Sequence, residues 1–217
     1  MPKNDDSLRI NNEILTRLDG SFTVYHSIDS LDTNDEQERN NFPIEFLNTL
    51  NFSGMPPHEL KLKPGAIVML LRNLNSKKGL CNGTRLSVKA LHNNVIDAEV
   101  LTGKAHGLKV FIPRIDIIPT DTDYPFVVRR RQFPVTPAFA MTINKSQGQT
   151  FNKVGIFLRD PVFSHGQLYV AFSRATSRNN VVVKIEDTER QGRLIKESNV
   201  YFTINCVYKE VLQNLES

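Results

Sequence analysis

The residues with the clearest chemical potential form a short polar run, TINKSQGQ, at positions 142–149. The run gathers hydroxyl, amide and ammonium groups into what should be one turn, and Gly148 allows that turn a positive φ. A glycine-bounded turn of donors before an apolar strand suits contacts with phosphate or sugar groups. The residue types alone favour a plain polar loop just as strongly, so both interpretations stay open at this point.

A second run, SHGQLYVAFSRATSR, occupies positions 164–178. Ser164 and Gln167 match an S-x-x-Q capping box, which predicts that a helix starts there. Apolar residues then recur with helical spacing, and Arg174 falls near the far end of the predicted helix. Arg174 either complements the helix dipole, an effect of about 0.5 kcal/mol, or projects toward a nucleotide as an arginine finger does. His165, beside the helix start, is interpreted as structural.

Both runs belong to a predicted β–α–β unit. Strands are predicted at Val154–Leu158 and Val181–Ile185, on either side of a helix at Ser164–Ala175. Strands joined in this way are normally parallel and buried. Nearer the start of the chain, the patterns predict a helix at Asp6–Leu18, a strand at Phe22–Ile28, an acidic surface loop at Asp29–Asn41 and a helix from Pro43 to Leu50.

The middle of the chain is rich in short β segments separated by turn signals. The predicted strands are Ala66–Leu71, Thr84–Leu91, Val95–Leu101, Lys109–Ile115 and Phe126–Phe133. Short strands at such close spacing indicate a small antiparallel barrel or sandwich. Because α/β patterns flank this piece, the economical interpretation is one α/β domain with a small β domain inserted in it.

The composition is that of a globular protein. Of the 217 residues, 40% are hydrophobic and 23% are charged, which is enough to build a core. No run of about 18 apolar residues occurs, so we expect no membrane partner. The two cysteines, Cys81 and Cys206, lie far apart without metal-ligand spacing, so we expect no metal site and a reducing, intracellular compartment. The net charge of +4 indicates a nucleic-acid partner only weakly.

The segments FAMTINKSQGQTF and FSHGQLYVAFSRATSRNNVVVKI closely resemble motifs V and VI of the Pif-type ATP-dependent DNA helicases. That family lies in the five-prime-to-three-prime branch of superfamily 1 and includes helicases encoded by Helitron transposons. The segment from Leu60 to Leu86 resembles the start of the family's inserted SH3-like barrel, domain 2B. The resemblance implies a second RecA-like P-loop NTPase motor domain (2A), with a parallel sheet, at 1–57 and 136–217. It also implies a small antiparallel SH3-like β-barrel (2B) at 58–135.

The resemblance implies a catalytic role for one residue. Arg174 matches the motif VI arginine, which reaches the γ-phosphate across the cleft between the motor domains and stabilises charge during phosphoryl transfer. Gly148 and Gln149 match the part of motif V near the nucleotide. Arg174, Gly148 and Gln149 are therefore the expected nucleotide-binding residues.

The resemblance also implies contacts with single-stranded DNA. The matching motif V residues are Thr142, Asn144, Lys145, Ser146 and Gln147. The family commonly has histidine where this chain has Asn144, so base stacking is in doubt there, while hydrogen bonding is kept. In the β-rich piece, Arg129, Arg130 and Arg131 are further candidates, because the family's barrel lies over the DNA channel. A solvated strand explains these three arginines equally well.

The nucleotide machinery of a complete motor is not recognised in the sequence. No GxxxxGK[ST] occurs, and we expect no acidic pair to follow an apolar strand as it does in a Walker B motif. ATP and Mg²⁺ are therefore expected only together with the first RecA-like motor domain. The expected partners are that domain and single-stranded DNA. Without the first motor domain, the chain is expected neither to hydrolyse ATP nor to unwind DNA, and to expose apolar surface.

Three interpretations stay open. The chain is a piece of a complete helicase, a stand-alone nucleic-acid-binding remnant of a transposon helicase, or the homologous domain of a relaxase or exonuclease subunit. The start of the chain inside a motif favours the first. The resemblance implies DNA replication, repair, recombination and telomere maintenance as processes, and the nucleus or mitochondrion as location in a eukaryote.

Overall fold

The computed structural model describes residues 1–33, 41–119, 124–189, 191, 194–195 and 200–208. The chain divides into two compact units, a terminal unit of Met1–Ile10 and Ala140–Ser217 and a central unit of Asn11–Phe139. Residues 11–57 thus belong to the central unit, whereas the sequence assigned them to the motor domain. The assignment of functional domains to these ranges stays a prediction.

Helix α1 (Asn4–Arg17) begins with Asp5 and Asp6 in its first turn and ends with Arg17 in its last. Acidic residues at the start and basic residues at the end of a helix stabilise its dipole. Leu15, near the end of α1, is buried in the main core of the central unit. The helix predicted at Asp6–Leu18 is therefore confirmed, with bounds shifted by one or two residues.

The central unit is built from antiparallel strands. They are β1 (Thr23–His26), β2 (Ile28–Leu31), β3 (Glu59–Leu62), β4 (Ile67–Leu70), β5 (Arg85–Leu91), β6 (Val95–Val100), β7 (Lys109–Pro113), β8 (Ile115–Ile117), β9 (Val128–Gln132) and β10 (Val135–Pro137). A five-stranded sheet has the order β10-β4-β5-β6-β7, a three-stranded sheet has the order β2-β9-β8, and β1 pairs with β3. The short strands predicted between Ala66 and Phe133 are all present. The sequence patterns missed β3 and β10.

Alternating burial along these strands defines the core. In β6, for example, Ile96, Ala98 and Val100 are buried, while the residues between them are partly exposed. Successive side chains of a strand point to opposite faces, so one face of the sheet is apolar. A second, smaller core lies around helix α2 (Ile44–Thr49), which starts after Pro43 as predicted and buries Leu47.

The acidic stretch at Asp29–Asn41 is not simply a surface loop. Its first residues form β2, and Asp29 is only 2% exposed. The prediction was wrong at this end because an aspartate with a buried cationic partner is stable inside a protein. Residues 34–40 of the stretch lie outside the part of the chain that the structure describes.

The terminal unit contains the predicted β–α–β unit. Strand β11 (Val154–Leu158) pairs in parallel with β12 (Val181–Ile185), and helix α3 (Gln167–Phe172) lies between them in the chain. A short antiparallel pair, β13 (Leu194–Ile195) and β14 (Val200–Tyr201), follows. The chain is thus an α/β protein with mostly antiparallel sheets. The prediction that both parallel strands are buried is wrong for β12, where Val182 is 71% exposed.

The start of α3 differs from the predicted capping box. The helix begins at Gln167, and its N-cap is Gly166 with φ 73°, without a side-chain cap. The side chain of Gln167 instead accepts a hydrogen bond from the Phe163 amide at 3.1 Å. The residues between Ser164 and the helix form a turn that ends in a left-handed glycine, which delays the helix start. Within the described residues, no helix is long and apolar enough to cross a membrane.

Candidate nucleotide and nucleic-acid site

The polar run at 142–149 folds as predicted, into a tight turn. Its centre is a 3-10 helix at Asn144–Ser146. Thr142 and Ser146 are buried, and their hydroxyl groups serve the turn itself. The Ser146 Oγ donates to the Ile143 carbonyl at 2.6 Å, and the Thr142 Oγ1 accepts from the Lys145 amide at 3.4 Å. These two side chains therefore position the turn from inside.

The outer side of the turn carries the groups that a ligand can reach. Asn144, Lys145 and Gln147 are exposed. Gly148 has φ 73° and open space where a Cβ would lie, so its backbone conformation, and not crowding, favours glycine. Gln149 Nε2 donates to the Lys145 carbonyl at 3.2 Å. Among the predicted DNA-contacting residues of this turn, the side chains of Asn144, Lys145 and Gln147 have no hydrogen-bond partner in the part of the chain that the structure describes.

Arg174 lies just after α3 and joins the two polar runs. Its Nε donates to the Val170 carbonyl at 2.9 Å, and its Nη1 donates to the Gln149 carbonyl at 3.0 Å. A longer contact of 3.5 Å joins Nη1 to the Ser146 carbonyl, and Nη2 donates to the Ser173 Oγ at 2.8 Å. The guanidinium is thus folded back onto the turn, and it brings together residues that the sequence placed in one site.

The backbone reinforces this junction. The Phe151 amide donates to the Arg174 carbonyl at 2.8 Å, and the Thr176 amide donates to the Phe151 carbonyl at 3.4 Å. Phe151 and Ala175 form a parallel β-bridge. Helix α3 also packs against the 3-10 helix at Asn144–Ser146. The segment that holds Arg174 is therefore tied to the turn on both sides of Gly148.

Two other polar residues lie near α3. Gln167 is 3% exposed, and its Nε2 has no hydrogen-bond partner among the described residues, although its Oε1 accepts from the Phe163 amide. His165 stacks on Tyr208 with ring centroids 5.4 Å apart, and its Nδ1 accepts from the Tyr208 amide at 3.1 Å. Those contacts give His165 a structural environment.

The terminal unit exposes large apolar side chains, as its sequence predicted. On and before α3, Tyr169 is 77%, Phe163 57% and Phe172 48% exposed. Val182 and Val183 on β12 are also exposed. Exposed aromatic residues that lie close together in the chain often mark a surface that binds another molecule.

The three consecutive arginines do not act alike. Because they lie on β9, Arg130 points to the opposite face from Arg129 and Arg131. Arg130 is 0% exposed and binds Asp29 with Nε and Nη2, at 2.9 and 2.6 Å. It also donates to the carbonyls of Pro56, Leu47 and Leu50. The prediction that Arg130 contacts DNA was wrong, since a buried and fully bonded guanidinium cannot reach a phosphate.

Arg129 and Arg131 are exposed but paired. Arg129 binds Asp32, and Arg131 binds Asp116 at 3.2 Å. Lys77, Lys78 and Lys104 were not predicted as site residues. All three are exposed and have no ion-pair partner among the described residues. The sequence could have indicated that these lysines are exposed, because all three lie in glycine-containing turns, where the lysine ammonium group is normally solvated.

An acidic pair does follow an apolar strand, contrary to the interpretation of the sequence. Glu186 and Asp187 come directly after β12. Glu186 faces two arginines, with Arg159 at 3.7 Å and Arg9 at 3.9 Å, which is the environment of an ion-pair network. Within the described residues, no three side chains of His, Cys, Asp or Glu lie together as metal ligands.

Comparisons with known families match two parts of the chain. A family described as "DNA helicase Pif1, 2B domain" matches residues 45–91, and a family described as "Helicase" matches residues 124–203. The human ATP-dependent DNA helicase PIF1 is 33% identical over 176 residues, covering 80% of this chain and 25% of the human protein. The Campylobacter jejuni ATP-dependent DNA helicase Pif1 is 29% identical over 189 residues, covering 83% of this chain and 40% of that protein.

Solved structures agree with the sequence matches. Bacteroides Pif1 bound to single-stranded DNA has a TM-score of 0.66 and 27% identity, covering 99% of this chain and 43% of that chain. Bacteroides Pif1 in complex with ADP-AlF3 and single-stranded DNA has a TM-score of 0.65 and 26% identity, covering 99% and 43%. Candida albicans Pif1, at 23% identity and a TM-score of 0.68 over 100% of this chain and 48% of that one, supports the fold alone. The chain is therefore a homologue of the Pif1 DNA helicases, and it spans about a quarter of the length of their human member.

Proposed function

We propose that this chain supplies the second motor domain of an ATP-dependent DNA helicase, with Arg174 as its arginine finger and the turn at 142–149 as its single-stranded DNA contact. The observation that carries the proposal is the junction at Arg174, whose Nη1 lies 3.0 Å from the Gln149 carbonyl. A group that acts on a nucleotide and a turn that acts on DNA are here in direct contact. The antiparallel sheet of β10 and β4–β7 is the proposed SH3-like barrel, 2B.

Arg174 would act during phosphoryl transfer. ATP and Mg²⁺ would be bound mainly by the first motor domain, since the sequence of this chain contains no GxxxxGK[ST] motif. The guanidinium of Arg174 would bind the γ-phosphoryl oxygens and stabilise the negative charge that they carry in the transition state. Such an arginine changes turnover by about 10³-fold or more.

The DNA contact would use the exposed side of the turn. Lys145 would pair with a phosphate, while the amides of Asn144 and Gln147 would donate to phosphate or sugar oxygens. Thr142 and Ser146 are assigned a positioning role through their internal hydrogen bonds. Contacts of this kind recognise the backbone, so binding should be sequence-independent and salt-sensitive.

The exposed aromatic residues on and before α3 would face the first motor domain. Tyr169 and Phe172 precede Arg174 by five and two residues, so a partner that covers them would lie next to the finger. Burial of aromatic side chains at the centre of an interface is typical of stable association. The occupant of this surface is therefore proposed to be the domain that holds ATP.

The proposal is tested by joining the chain to the first motor domain of Campylobacter jejuni Pif1. Wild-type chain should restore DNA-stimulated ATP hydrolysis, and Arg174→Ala should lower turnover by about 10³-fold. Binding of single-stranded DNA should stay within about tenfold of wild type, because Arg174 is not a proposed DNA contact. Arg178→Ala, which removes the same charge from an exposed position, is the control. Full turnover by Arg174→Ala would refute the finger role.

A second candidate function is a stand-alone module that binds single-stranded nucleic acid. It is favoured by the placement of Asn144, Lys145 and Gln147 on one exposed turn of this chain. The genomic sequence directly upstream separates the two candidates, because an in-frame P-loop there indicates a complete motor. An attached nuclease or relaxase domain would instead indicate a subunit of such an enzyme.

A further inference from the structure

The guanidinium of Arg174 binds carbonyls on both sides of a glycine. Its Nη1 contacts the Ser146 carbonyl at 3.5 Å and the Gln149 carbonyl at 3.0 Å, and Gly148 lies between these two residues. Gly148 has a positive φ and no neighbour within 4 Å of its Cβ position. The contacts of Arg174 therefore join the residues on either side of the one glycine in the turn.

Most of the N–H donors of Arg174, which are also its means of binding a phosphate, already have partners. Arginine has five N–H donors in a rigid fork. In Arg174 the Nε donor is taken by Val170, Nη1 is taken by the turn, and one Nη2 donor is taken by Ser173. A bidentate contact with a phosphate uses two neighbouring donors of the fork. At most two of the five donors are left, so a bidentate contact with a phosphate requires Arg174 to release at least one of these partners.

We propose that Arg174 is a positioning residue for the turn at 142–149, in addition to its role as a finger. Without nucleotide, its guanidinium fastens the turn across Gly148 and keeps Asn144, Lys145 and Gln147 in their exposed arrangement. When it binds a phosphate it leaves the turn, and the turn loosens. The proposal rests on the proposed function for the identity of both ligands. It makes affinity for nucleotide and affinity for single-stranded DNA oppose each other, and the opposition is reciprocal.

The test uses the full chain without nucleotide and compares Arg174→Ala with Arg178→Ala. Arg178 is exposed, in the 3-10 helix at Arg178–Asn180, so both variants lose one positive charge. The first measurement is amide hydrogen exchange at Gln149, whose N–H donates to the Ser146 carbonyl at 3.1 Å. The second is the affinity for an oligo-dT strand over a range of salt concentrations.

We expect Arg174→Ala to speed exchange at Gln149 by about tenfold and to weaken oligo-dT binding by about threefold to tenfold, with an unchanged salt slope. Arg178→Ala should change neither by more than about twofold. Arg174→Lys, which keeps the charge but lacks the fork, should give an intermediate loosening. Ser173→Ala, which removes only the Nη2 acceptor, should give a smaller change in the same direction.

Several results would overturn the proposal. A salt slope reduced by about 0.7 in Arg174→Ala would mean that the arginine contacts a DNA phosphate directly. Unchanged exchange at Gln149, or tighter DNA binding, would mean that the guanidinium does not hold the turn in its binding form. Amide exchange in β11 shows whether each variant is folded. If Arg174→Ala is not folded, Arg174→Lys replaces it in both measurements. If wild-type chain binds no oligo-dT, the proposed function fails, while exchange at Gln149 still decides whether Arg174 holds the turn.

Discussion

At the scale of single residues, Asp29 and Arg130 form an ion pair that is closed off from solvent. Both side chains are 0% exposed, and the guanidinium also binds three backbone carbonyls. Ser27 donates to the Asp29 Oδ1 at 2.7 Å, so the carboxylate is satisfied too. Removing one partner of such a pair leaves a buried charge without compensation. The pair therefore fixes how β2, β9 and α2 meet.

We predict that Asp29→Ala lowers the free energy of unfolding of the central unit by about 3–5 kcal/mol. The double variant Asp29→Leu, Arg130→Met should recover much of that loss, because apolar replacements leave no unpaired charge. Urea denaturation measures both. Asp116→Ala, which breaks the exposed pair with Arg131, should cost less than about 1 kcal/mol. Equal losses in the two alanine variants would contradict a special role for the buried pair.

His58 extends this network toward the surface. Its Nδ1 lies 2.8 Å from the Ser27 Oγ and 4.0 Å from the Asp29 Oδ2. Burial lowers the pKa of His58 below its usual 6.5, and the cation of Arg130 lowers it further, against the opposing effect of Asp29. The folded chain therefore binds the proton of His58 less readily than the unfolded chain does.

This difference gives a signed pH dependence. Above pH 6.5 His58 is mostly neutral in both states, so its contribution to stability is fully present. As the pH falls below that value the unfolded state gains the proton first, and stability is lost until the folded pKa is passed. Urea midpoints measured between about pH 7.5 and pH 5 should fall, and His58→Gln should flatten that part of the curve. If the urea midpoint of His58→Gln falls with pH as steeply as that of wild type, a group other than His58 is responsible for the pH dependence.

The residue types of the site could be predicted from the sequence, but the orientation of side chains could not. The residue types at 142–149 and at Arg174 left two interpretations open, and only the resemblance to the helicase motifs singled them out as a site. Arg130 was misplaced because its partner lies 101 residues away in the chain. Alternation along β9 did contain a hint, since Val128, Arg130 and Gln132 share a face. Only the position of Asp29 in the fold shows that an arginine is stable on the inner face.

At the scale of secondary-structure elements, the end of α1 depends on a buried lysine. Lys63 is 5% exposed, and its Nζ donates to the Leu18 carbonyl at 2.7 Å and, more weakly, to the Thr16 carbonyl at 3.4 Å. It also lies 4.5 Å from the ring centroid of Phe22. The last carbonyls of a helix have no partner within it, and they carry partial negative charge. Lys63 therefore caps α1 from the segment that follows β3.

We expect Lys63→Met to destabilise the central unit by about 1–3 kcal/mol, because the capped carbonyls become unsatisfied while the apolar stem is kept. Lys61→Met is the matched control, since Lys61 is an exposed residue of β3 paired only with Glu59. Its effect should stay within about 0.5 kcal/mol. Denaturation followed by circular dichroism gives both values. Comparable losses for the two lysines would show that the cap is not significant.

The elements themselves were predictable to different degrees. Strands β4–β7 and β9 have clear alternation and turn signals on both sides, so local patterns sufficed. Strand β3 was missed because it has only four residues, so its alternation of charged and apolar types is too short to stand out. The helix start at Gln167 was misplaced by three residues because a capping sequence competes with a left-handed glycine. The exposure of β12 depends on which elements pack against the strand, and the residues of the strand itself do not indicate that.

At the scale of the whole molecule, the net charge of +4 does not show where the cations without an ion-pair partner lie. In the central unit, Arg130 is buried and the exposed arginines of β9 are paired with aspartates. Among the described lysines of this unit, four are exposed without an ion-pair partner. Lys77 and Lys78 lie in the 3-10 helix at Ser76–Lys78, Lys104 lies in the turn between β6 and β7, and Lys109 lies at the start of β7, opposite Glu99. These turns adjoin, since a Cβ on Gly79 would lie 3.2 Å from the Ala105 Cβ. Phosphates attracted to the central unit should therefore meet these turns first.

We predict that Lys77→Ala, Lys78→Ala lowers the salt dependence of single-stranded DNA binding by up to about 0.7 in log–log slope for each lysine that pairs with a phosphate. Adding Lys104→Ala should lower it again. The double variant Lys61→Ala, Lys89→Ala removes the same charge from exposed residues already paired with Glu59 and Glu99, so its slope should stay near that of wild type. Fluorescence anisotropy of a labelled oligo-dT strand at several salt concentrations measures each slope. If the salt slope falls equally in both double variants, DNA binding depends on the total charge alone and not on whether each lysine has an ion-pair partner.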